Sequence, residues 1–557
     1  MPPAFMTFFQ EIAPMPRNHP SSLTDSSGIT RFGRPPAMSG PWFGPGPSMA
    51  VGADQAVSML CDPCRDLFAT DQAVSPYLVD WSQAFADLDP AQATPVALVF
   101  KRSPFPDVVE RWLLPDLADP RARRIVELHL SARLNNVLSL AGAHGVEIIS
   151  RARPDAELLD AVRHNLFARL DDFSNMSLYF LHGLVHSAFG RALSIDARQT
   201  DESLPEARGH GRASGRGKPR QARPGLALAV NIGQHLTSWG LIRLTPDGGC
   251  VVERLFRRET HHDLTRCCLT AEIADILAAV RSDLGQAADD VEAVGISLAA
   301  TVMDGRPLPV AQFGLFAACS QTELDHAATA ISEAAARAFP GRSAVLVNDG
   351  RAQALFAFHF AGGQAAAGDG HLLTLRLGAC PCVHCLDVDG HSPPGFDEYG
   401  WLAIRAVPSR PGGALFATPR HPLSHYGLAA AAHEFGLLAH YGLGIEDAIP
   451  FFHARLIGDA PEAAREAAGV YRILGAHLAM LAAEIHAHRP LGAIMVMGSQ
   501  ANRLDGPAFA AVSDGYAAFA AGRPLVPAKA PRILIEEASA EAGLVGAAYA
   551  ALAAGPA

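Results

Sequence analysis

Residues 345–358 carry the sequence VLVNDGRAQALFAF, in which a short apolar run ends at Asn-Asp and a helical pattern follows. The apolar run is typical of a buried strand, and a helix is expected from Gly350 to Phe360. Asn348 and Asp349 are both residue types that begin helices well. A carboxylate at a strand end can also point into a cleft and accept a proton there. This stretch therefore predicts a strand-to-helix unit of an α/β fold, with Asp349 at its junction.

The segments upstream of this unit predict a mixed sheet. Three strand-type runs joined by short turns, 226–233, 237–244 and 250–259, indicate an antiparallel meander. The segments that follow are expected as a helix at 269–284, a strand at 291–300, a helix at 321–339 and a strand at 343–349. This order places helices on the faces of one sheet.

The segments downstream repeat the pattern. They are expected as strands at 372–378 and 382–390, helices at 428–441 and 460–488, strands at 493–499 and 532–537, and a helix at 540–553. A second α/β unit of similar order is therefore expected in the C-terminal half.

The first 224 residues differ in character. Residues 1–57 are rich in Pro, Gly, Ser and Met and are expected to be disordered. Residues 58–195 carry helical periodicity with one short strand at 95–100, which predicts a mostly helical domain. Residues 196–224 combine Gly, Pro and Ser with many Arg, so a basic flexible linker is expected, as a solvated tether rather than a nucleic-acid tail.

Bulk properties set the class of protein. The chain has 557 residues, enough for two to four domains at ~150 residues each. The net charge of -11 gives no reason to expect nucleic-acid binding, although a local patch could bind. The sequence predicts no membrane helix, no secretory signal and no disulfide framework, so a cytoplasmic location is expected.

With these segments in place, residues 226–553 resemble the ROK family of repressors and sugar kinases. The resemblance implies two actin-like (ribonuclease H-like) lobes, with sugar and ATP bound in the cleft between them. By resemblance, Asp349 is the base that accepts the proton of the attacking sugar hydroxyl. Asn348 would hydrogen-bond neighbouring hydroxyls. The alternative from the residues alone is that Asn348 or Asp349 only caps the helix.

A second match is PGFDEYGW at 394–401, which resembles the family's Gly-Glu-Ile-Gly-His element. Glu398 takes the position that contacts sugar hydroxyls, and Gly400 is kept. Trp401 replaces the His that serves a structural zinc in the family, and residues 406–428 contain no cysteine. No structural zinc is therefore expected here.

Two further matches lie near the C-terminus. GSQANRLDG at 498–506 resembles a Gly-rich turn beside the adenosine, with Gly498 kept. AGLVGAAYA at 542–550 resembles the family's closing helix, where Gly546 is expected to allow close helix packing.

The phosphate loops depart from the family pattern. The first loop has Asn231 where the family has an Asp that helps hold Mg²⁺, and only Gly233 of its two glycines survives. The second keeps Gly378, but LGACPCVHC at 377–385 has lost the later glycines and gained a proline, which removes an N–H donor. Loss of efficient phosphotransfer is favoured, although Asn231 still offers an oxygen to Mg²⁺, so possible ATP and Mg²⁺ binding stays open.

Cysteines near the second loop suggest a metal site. Cys380, Cys382, His384 and Cys385 offer soft ligands, but strand alternation sends Cys382 and Cys385 to opposite faces. A structural role is favoured for them and for the isolated pair Cys61 and Cys64. No metal-ligating residue is predicted.

Three functions remain open at this point. The first is a hexose or N-acetylhexosamine kinase, active or impaired, and the second is a sugar-responsive regulator of the ROK repressor type. The nearest helix-turn-helix candidate for the latter is residues 138–162, without a convincing wing. The third is a pseudokinase scaffold. A sugar ligand and a homodimer are implied by the resemblance, and whether the chain is an enzyme is left open.

Overall fold

The fold was analysed in a computed structural model. The residues that it describes are 77–152, 155–167, 176–208, 221–233, 236–260, 269–303, 305–308, 320–342, 344–377, 381–392, 395–406, 416–419, 422–424, 427–434, 436–497, 506–527, 532–536 and 541–554. The predictions made for residues 1–57, for Cys61 and Cys64, for Cys380, and for Gly378 and Gly498 lie outside these residues.

The first C-terminal lobe is built on a five-stranded sheet. Its strands are β5 (Gly225–Ile232), β6 (Leu236–Leu244), β7 (Cys250–Glu259), β8 (Ala293–Leu298) and β11 (Ala344–Asn348). Their order in the sheet is β11-β8-β5-β6-β7. The β5-β6-β7 meander is antiparallel, whereas β8 and β11 join it in parallel. The predicted meander and the two strands after it are thereby confirmed.

The second lobe repeats this arrangement with one strand fewer. Its strands are β12 (His371–Arg376), β13 (Cys382–Leu386), β16 (Leu491–Met497) and β17 (Arg532–Glu536), in the order β13-β12-β16-β17. The β12-β13 pair is antiparallel, and β16 and β17 are parallel to β12. Two sheets of matching order, each an antiparallel part continued by parallel strands, confirm the predicted two-lobed actin-like α/β fold.

Helices cover both sheets. In the C-terminal lobes they are α5 (Leu269–Leu284), α6 (Gln321–Ala338), α7 (Asp349–Phe360), α8 (Gly363–Ala367), α9 (Gly427–Glu434), α10 (Leu437–Tyr441), α11 (Ile445–Leu456), α12 (Pro461–His486), α13 (Gly506–Ala520) and α14 (Ala542–Ala554). Two short hairpins, β9 (Val302–Met303) with β10 (Arg306–Pro307) and β14 (Arg405–Ala406) with β15 (Phe416–Ala417), lie in the connections.

One described helix, α12, is long and apolar enough to cross a membrane by length and composition. However, 89% of its apolar window is buried inside the fold, as in the core helix of a globular protein.

Helices α7 and α14 join the two lobes. They share one hydrophobic core with Ala227 and Ile242 of the first sheet and with Leu372 and Met495 of the second. A Cβ built on Gly546 would lie 1.6 Å from the carbonyl oxygen of Ala352, so only glycine allows α14 to approach α7 this closely. The expected packing role of Gly546 is confirmed.

The N-terminal part is helix-rich but contains a sheet that the sequence did not predict beyond its first strand. Its helices are α1 (Leu78–Ala86), α2 (Pro120–Ala141), α3 (Ala156–Phe167) and α4 (Met176–Phe189). Its strands are β1 (Thr94–Lys101), β2 (Val108–Leu114), β3 (Gly145–Ser150) and β4 (Ser194–Gln199), in the order β2-β1-β3-β4. The three strands that were not predicted, β2, β3 and β4, carry charged residues that weaken their apolar pattern.

This sheet changes two expectations. The helix-turn-helix candidate at 138–162 is wrong, because β3 lies inside it and pairs with both β1 and β4. The basic linker was expected from residue 196, but β4 extends to Gln199, and Arg208 forms a bridge with Val109 of β2. Arg223 pairs with Glu292 at 3.3 Å. Ordered structure therefore extends into both ends of the predicted tether, whose residues 209–220 lie outside the described ranges.

The N-terminal part shares its core with the C-terminal lobes. Phe396, Trp401 and Phe416 belong to the same buried cluster as the residues of α2 and of the N-terminal sheet. The buried Arg523 forms an ion pair with the buried Asp80 of α1, with 2.8 Å between Nε and Oδ1. The N-terminal domain is therefore packed against the lobes rather than separated from them.

Candidate functional site

The junction of β11 and α7 places Asn348 and Asp349 at one end of the first sheet. Asn348 is the N-cap of α7, and its Oδ1 accepts a hydrogen bond from the backbone N–H of Arg351 at 3.1 Å. Its Nδ2 donates to the carbonyl oxygen of Ala300 at 3.0 Å. The capping interpretation therefore holds for Asn348, which anchors the junction to the loop after β8. Asp349 is the first residue of the helix, and its side chain does not serve as the N-cap.

Asp349 is partly exposed as a residue, whereas its carboxyl group is enclosed by neighbouring groups. Its Oδ1 accepts from the backbone N–H of Gly350 at 2.9 Å, and its Oδ2 accepts from the Cys382 thiol at 3.0 Å. Burial of the carboxyl raises the pKa of Asp349 above its usual value, against the lowering effects of the Cys382 hydrogen bond and of the positive charge of Arg376. A raised pKa makes a carboxylate a better proton acceptor.

Cys382 and Arg376 come from paired positions of the second sheet. They are opposite each other in the β12-β13 register. Cys385, three residues further along β13, is buried in the core, and burial raises the pKa of its thiol to about 12. Cys382 and Cys385 therefore face different surroundings, as strand alternation predicted, and Cys385 is a core residue.

Glu398, in the second lobe, contacts the loop to which Asn348 is also bonded. Its carboxylate accepts a hydrogen bond from the hydroxyl of the buried Thr301. Thr301 directly follows Ala300, the residue to which Asn348 is bonded. Glu398 and the Asn348–Asp349 junction are thus attached to consecutive residues of one loop.

Gly400 brings the Glu398 segment close to the strand that carries Cys382. A Cβ on Gly400 would lie 3.5 Å from the carbonyl oxygen of Pro381, an ordinary van der Waals contact. The 394–401 segment and the start of β13 are therefore neighbours. Three lines of contact, through Ala300, Thr301 and Pro381, bring Asp349 and Glu398 into one region.

The first of the two predicted phosphate-binding loops lies between β5 and β6. Asn231 is the seventh residue of β5, and its Oδ1 is buried without a hydrogen-bond partner among the described residues. It packs against the start of α14, where a Cβ on Gly543 would lie 2.9 Å from this oxygen. Gly233 closes the turn, donating its N–H to Leu236 and accepting from the Thr260 hydroxyl through its carbonyl at 2.8 Å.

Among the described residues at this turn, Asn231 is a poor match for Mg²⁺-ATP. An uncharged amide oxygen is a weaker ligand for Mg²⁺ than the carboxylate that the resemblance implies. In the described residues no group of three or more His, Cys, Asp or Glu side chains is placed to hold a metal ion.

Three participants were not predicted from the sequence. Thr301 and Arg376 lie in segments without a motif, and Cys382 was assigned only a structural role. Strand alternation was the one available signal, because it separated Cys382 from the buried Cys385. Thr301 is recognised only through its bond to a residue 97 positions away.

No protein-family model matches this sequence. A search of curated proteins gives no significant match.

Solved structures similar to this chain include ROK-family proteins. A ROK family glucokinase from Streptomyces griseus, in complex with glucose and AMPPNP, is 21% identical, covers 59% of this chain and 99% of its own, and has a TM-score of 0.40. A ROK hexokinase from Thermus thermophilus is 19% identical over 58% of this chain and 97% of its own, with a TM-score of 0.40. A ROK family transcriptional regulator, a homolog of the E. coli MLC protein, is 14% identical over 77% and 97%, with a TM-score of 0.43. The two-lobed fold itself is assigned from the strand order of the two sheets.

Proposed function

We propose that this protein binds a carbohydrate between its two lobes, through Asp349, Glu398 and the polar groups around them, and that it transfers phosphate inefficiently or not at all. The observation that carries the proposal is the attachment of Asn348 and Glu398 to the consecutive residues Ala300 and Thr301. Two carboxylates from different lobes are thereby held beside one loop.

The chemistry of these groups suits a polyhydroxyl ligand. Carboxylates accept hydrogen bonds from sugar hydroxyls, and charge-assisted bonds of this type are stronger than neutral ones. The raised pKa of Asp349 suits a group that takes a proton from a hydroxyl. Asn348 holds the junction in place and contributes less directly than the resemblance implies, because its amide already bonds to Arg351 and Ala300.

The altered phosphate-binding loops support impaired transfer of phosphate. Phosphoryl transfer depends on positioning and on compensation of negative charge by metal ions and backbone N–H groups. Asn231 contributes no charge, and Pro381 contributes no N–H. Gly378 and Gly498 are proposed neighbours of a nucleotide on the resemblance alone.

A thermal-shift screen with hexoses and N-acetylhexosamines, each with and without Mg-ATP, tests the proposal. A ligand that binds only the folded state raises the melting temperature. We expect the melting temperature to rise with a sugar and to stay unchanged with Mg-ATP. Shifts with both, together with ATP consumption, would show an efficient kinase and contradict the second half of the proposal. No shift with any sugar would contradict the first half.

Two variants separate binding from chemistry. Glu398→Gln is expected to weaken sugar binding by about tenfold to a hundredfold, the usual range for one charge-assisted hydrogen bond. Asp349→Asn is expected to keep measurable binding while removing any residual phosphotransfer. Glu466→Gln is the matched control, because its carboxylate lies on α12 and bonds Arg455 at 3.0 Å, outside the site. It should leave sugar affinity unchanged.

A sugar-responsive regulator is the second candidate. Its support is the packing of the N-terminal domain against the segment that carries Glu398, through backbone hydrogen bonds from Asp397 and Glu398 to α2. The described residues form no helix-turn-helix at the predicted position 138–162, where β3 lies instead. A salt-sensitive band shift on genomic DNA would support a regulator that binds DNA.

A further inference from the structure

The segment that carries Glu398 is held by the last turn of α2, a helix of the N-terminal domain. The backbone N–H of Asp397 donates to the carbonyl oxygen of Leu140 at 3.1 Å, and that of Glu398 donates to Ser139 at 3.0 Å. The final carbonyls of a helix lack partners inside the helix. Here two of them are satisfied by the candidate ligand-binding segment.

Two buried asparagines on the same helix add side-chain bonds. Asn135 donates through Nδ2 to the carbonyl oxygen of Trp401 at 2.9 Å. Asn136 donates to the carbonyl of Ala403 at 2.9 Å and accepts from its N–H at 2.6 Å. Asparagine is a poor residue for a helix interior, and a buried amide is costly unless it is bonded. The bonds to this segment satisfy the Nδ2 group of Asn135 and both amide atoms of Asn136, whereas Oδ1 of Asn135 is buried without a hydrogen-bond partner among the described residues.

Close backbone contact strengthens the attachment. A Cβ on Gly395 would lie 2.2 Å from the carbonyl oxygen of Leu140. Phe396 packs over Gly142, where a Cβ would lie 3.0 Å from the phenyl ring. The segment therefore lies directly against the end of α2, with no room for a larger residue at position 395.

The backbone beside Glu398 is strained. Asp397 has φ 56°, and within the described residues no other non-glycine residue has a positive φ. Strain of this kind persists only where the surroundings enforce it, and it concentrates at functional sites. The surroundings here are Leu140, the buried Arg489, which contacts the Asp397 carboxylate at 3.2 Å, and the hydroxyl of Tyr399 at 3.3 Å.

We propose that the end of α2 sets the position of Glu398, with Asn135 and Asn136 as positioning residues, so that ligand affinity depends on the N-terminal domain. This inference rests on the proposed carbohydrate site. The effect should act in both directions, because energetic coupling between two parts of a protein is reciprocal. A bound sugar that orders Glu398 also tightens the 395–403 segment on α2, and a partner that moves α2 weakens the sugar site.

The test compares Asn136→Ala with Asn165→Ala in the full-length protein. Asn165 is also a buried asparagine of the N-terminal domain, but it bonds Ser131 at 3.0 Å and Glu127 at 3.2 Å, within that domain. Each variant loses a buried amide, so both should be destabilised. Only Asn136→Ala should affect the Glu398 segment. Asn135→Ala is the second variant, because Asn136 also bonds Glu484 and its replacement could impair folding.

Two readouts are needed. Calorimetry with the sugar that gives the largest thermal shift should show about tenfold weaker binding for Asn136→Ala and Asn135→Ala, the loss expected for about one hydrogen bond to a charged group. Hydrogen exchange followed by mass spectrometry should show faster exchange in peptides that contain Asp397 and Glu398. Asn165→Ala should match the wild type in both.

Equal effects of the three variants, or unchanged exchange and affinity in both α2 variants, would overturn the inference. Faster exchange with wild-type affinity would also overturn it, because ligand binding would then not depend on the attachment. A wild-type protein that binds no sugar refutes the proposed function instead. In that case the exchange comparison still decides whether α2 fixes the segment.

Discussion

Replacing Glu484 with glutamine should raise the stability of the protein relative to the wild type as the pH increases. Glu484 lies on α12, where its Oε2 accepts from Asn136 at 2.9 Å and is 4.0 Å from the Arg133 guanidinium. Burial raises the pKa of Glu484 to about 7 from 4.5, although Arg133 and Asn136 favour the charged form. Glu110 adds a second negative charge beside Arg133.

The size of the effect follows from the shift. A carboxyl whose pKa is raised in the folded state makes its full contribution to stability below the pKa of the unfolded state, near 4.5. This contribution is lost as the pH rises to about 7. A shift from 4.5 to about 7, at about 1.4 kcal/mol per unit, corresponds to about 3 kcal/mol. Glutamine keeps an oxygen for Asn136 but cannot ionise, so the Glu484→Gln variant escapes this loss.

Thermal unfolding at pH 5 and pH 8 measures the difference. With an unfolding entropy of about 2 cal/mol/K per residue, ~3 kcal/mol corresponds to a change of about 3 °C in a chain of this length. Because part of the contribution is already lost at pH 5, the melting temperature of Glu484→Gln relative to the wild type should rise by about 2 °C between pH 5 and pH 8. A difference that is constant with pH, or that falls, would refute the assignment of a neutral Glu484 to the folded state below pH 7.

Three further outcomes are expected. Asp80→Ala should destabilise the protein by about 3–5 kcal/mol in chemical denaturation, because it removes the carboxylate that forms an ion pair with the buried Arg523; a variant as stable as the wild type would contradict a buried pair. Gly546→Val should lower the melting temperature strongly, because α14 must move away from α7; unchanged melting would exclude the close approach. Cys382→Ala should move the pH midpoint of sugar binding upwards, because it removes a hydrogen bond that lowers the pKa of Asp349; Cys382→Ser, which keeps a donor, should move it less.

Local patterns were enough to predict two α/β units of similar order, and the family resemblance added their arrangement as two actin-like lobes. Most strands of both sheets are short apolar runs, β7 with its charged residues being the exception. The 345–358 unit has β11 and α7 within a residue or two of the predicted bounds. Close backbone contact at Gly546 was also predictable, since a helical glycine often marks such a contact. These features depend on neighbours in sequence, and a single sequence contains that information.

The N-terminal sheet and the attachment of Glu398 could not be predicted in this way. β4 has the sequence SIDARQ, in which the apolar signal is reduced to Ile195 and Ala197, and it is ordered by pairing with β3. Asn136 and Ala403 are 267 positions apart. Helical periodicity marks Asn136 only as a polar residue on an apolar helix, and its partner is defined by tertiary packing alone.

The core shared by α2, Phe396 and Trp401 also determines how the protein should respond to cleavage. A protease that cuts among the arginines of residues 209–220 would divide the chain into two pieces, yet apolar contacts, the Asp80–Arg523 pair and the asparagine bonds would keep the pieces together. We expect a nicked protein that still elutes as one species and separates only in denaturant. Either piece expressed by itself would expose its half of this core and aggregate.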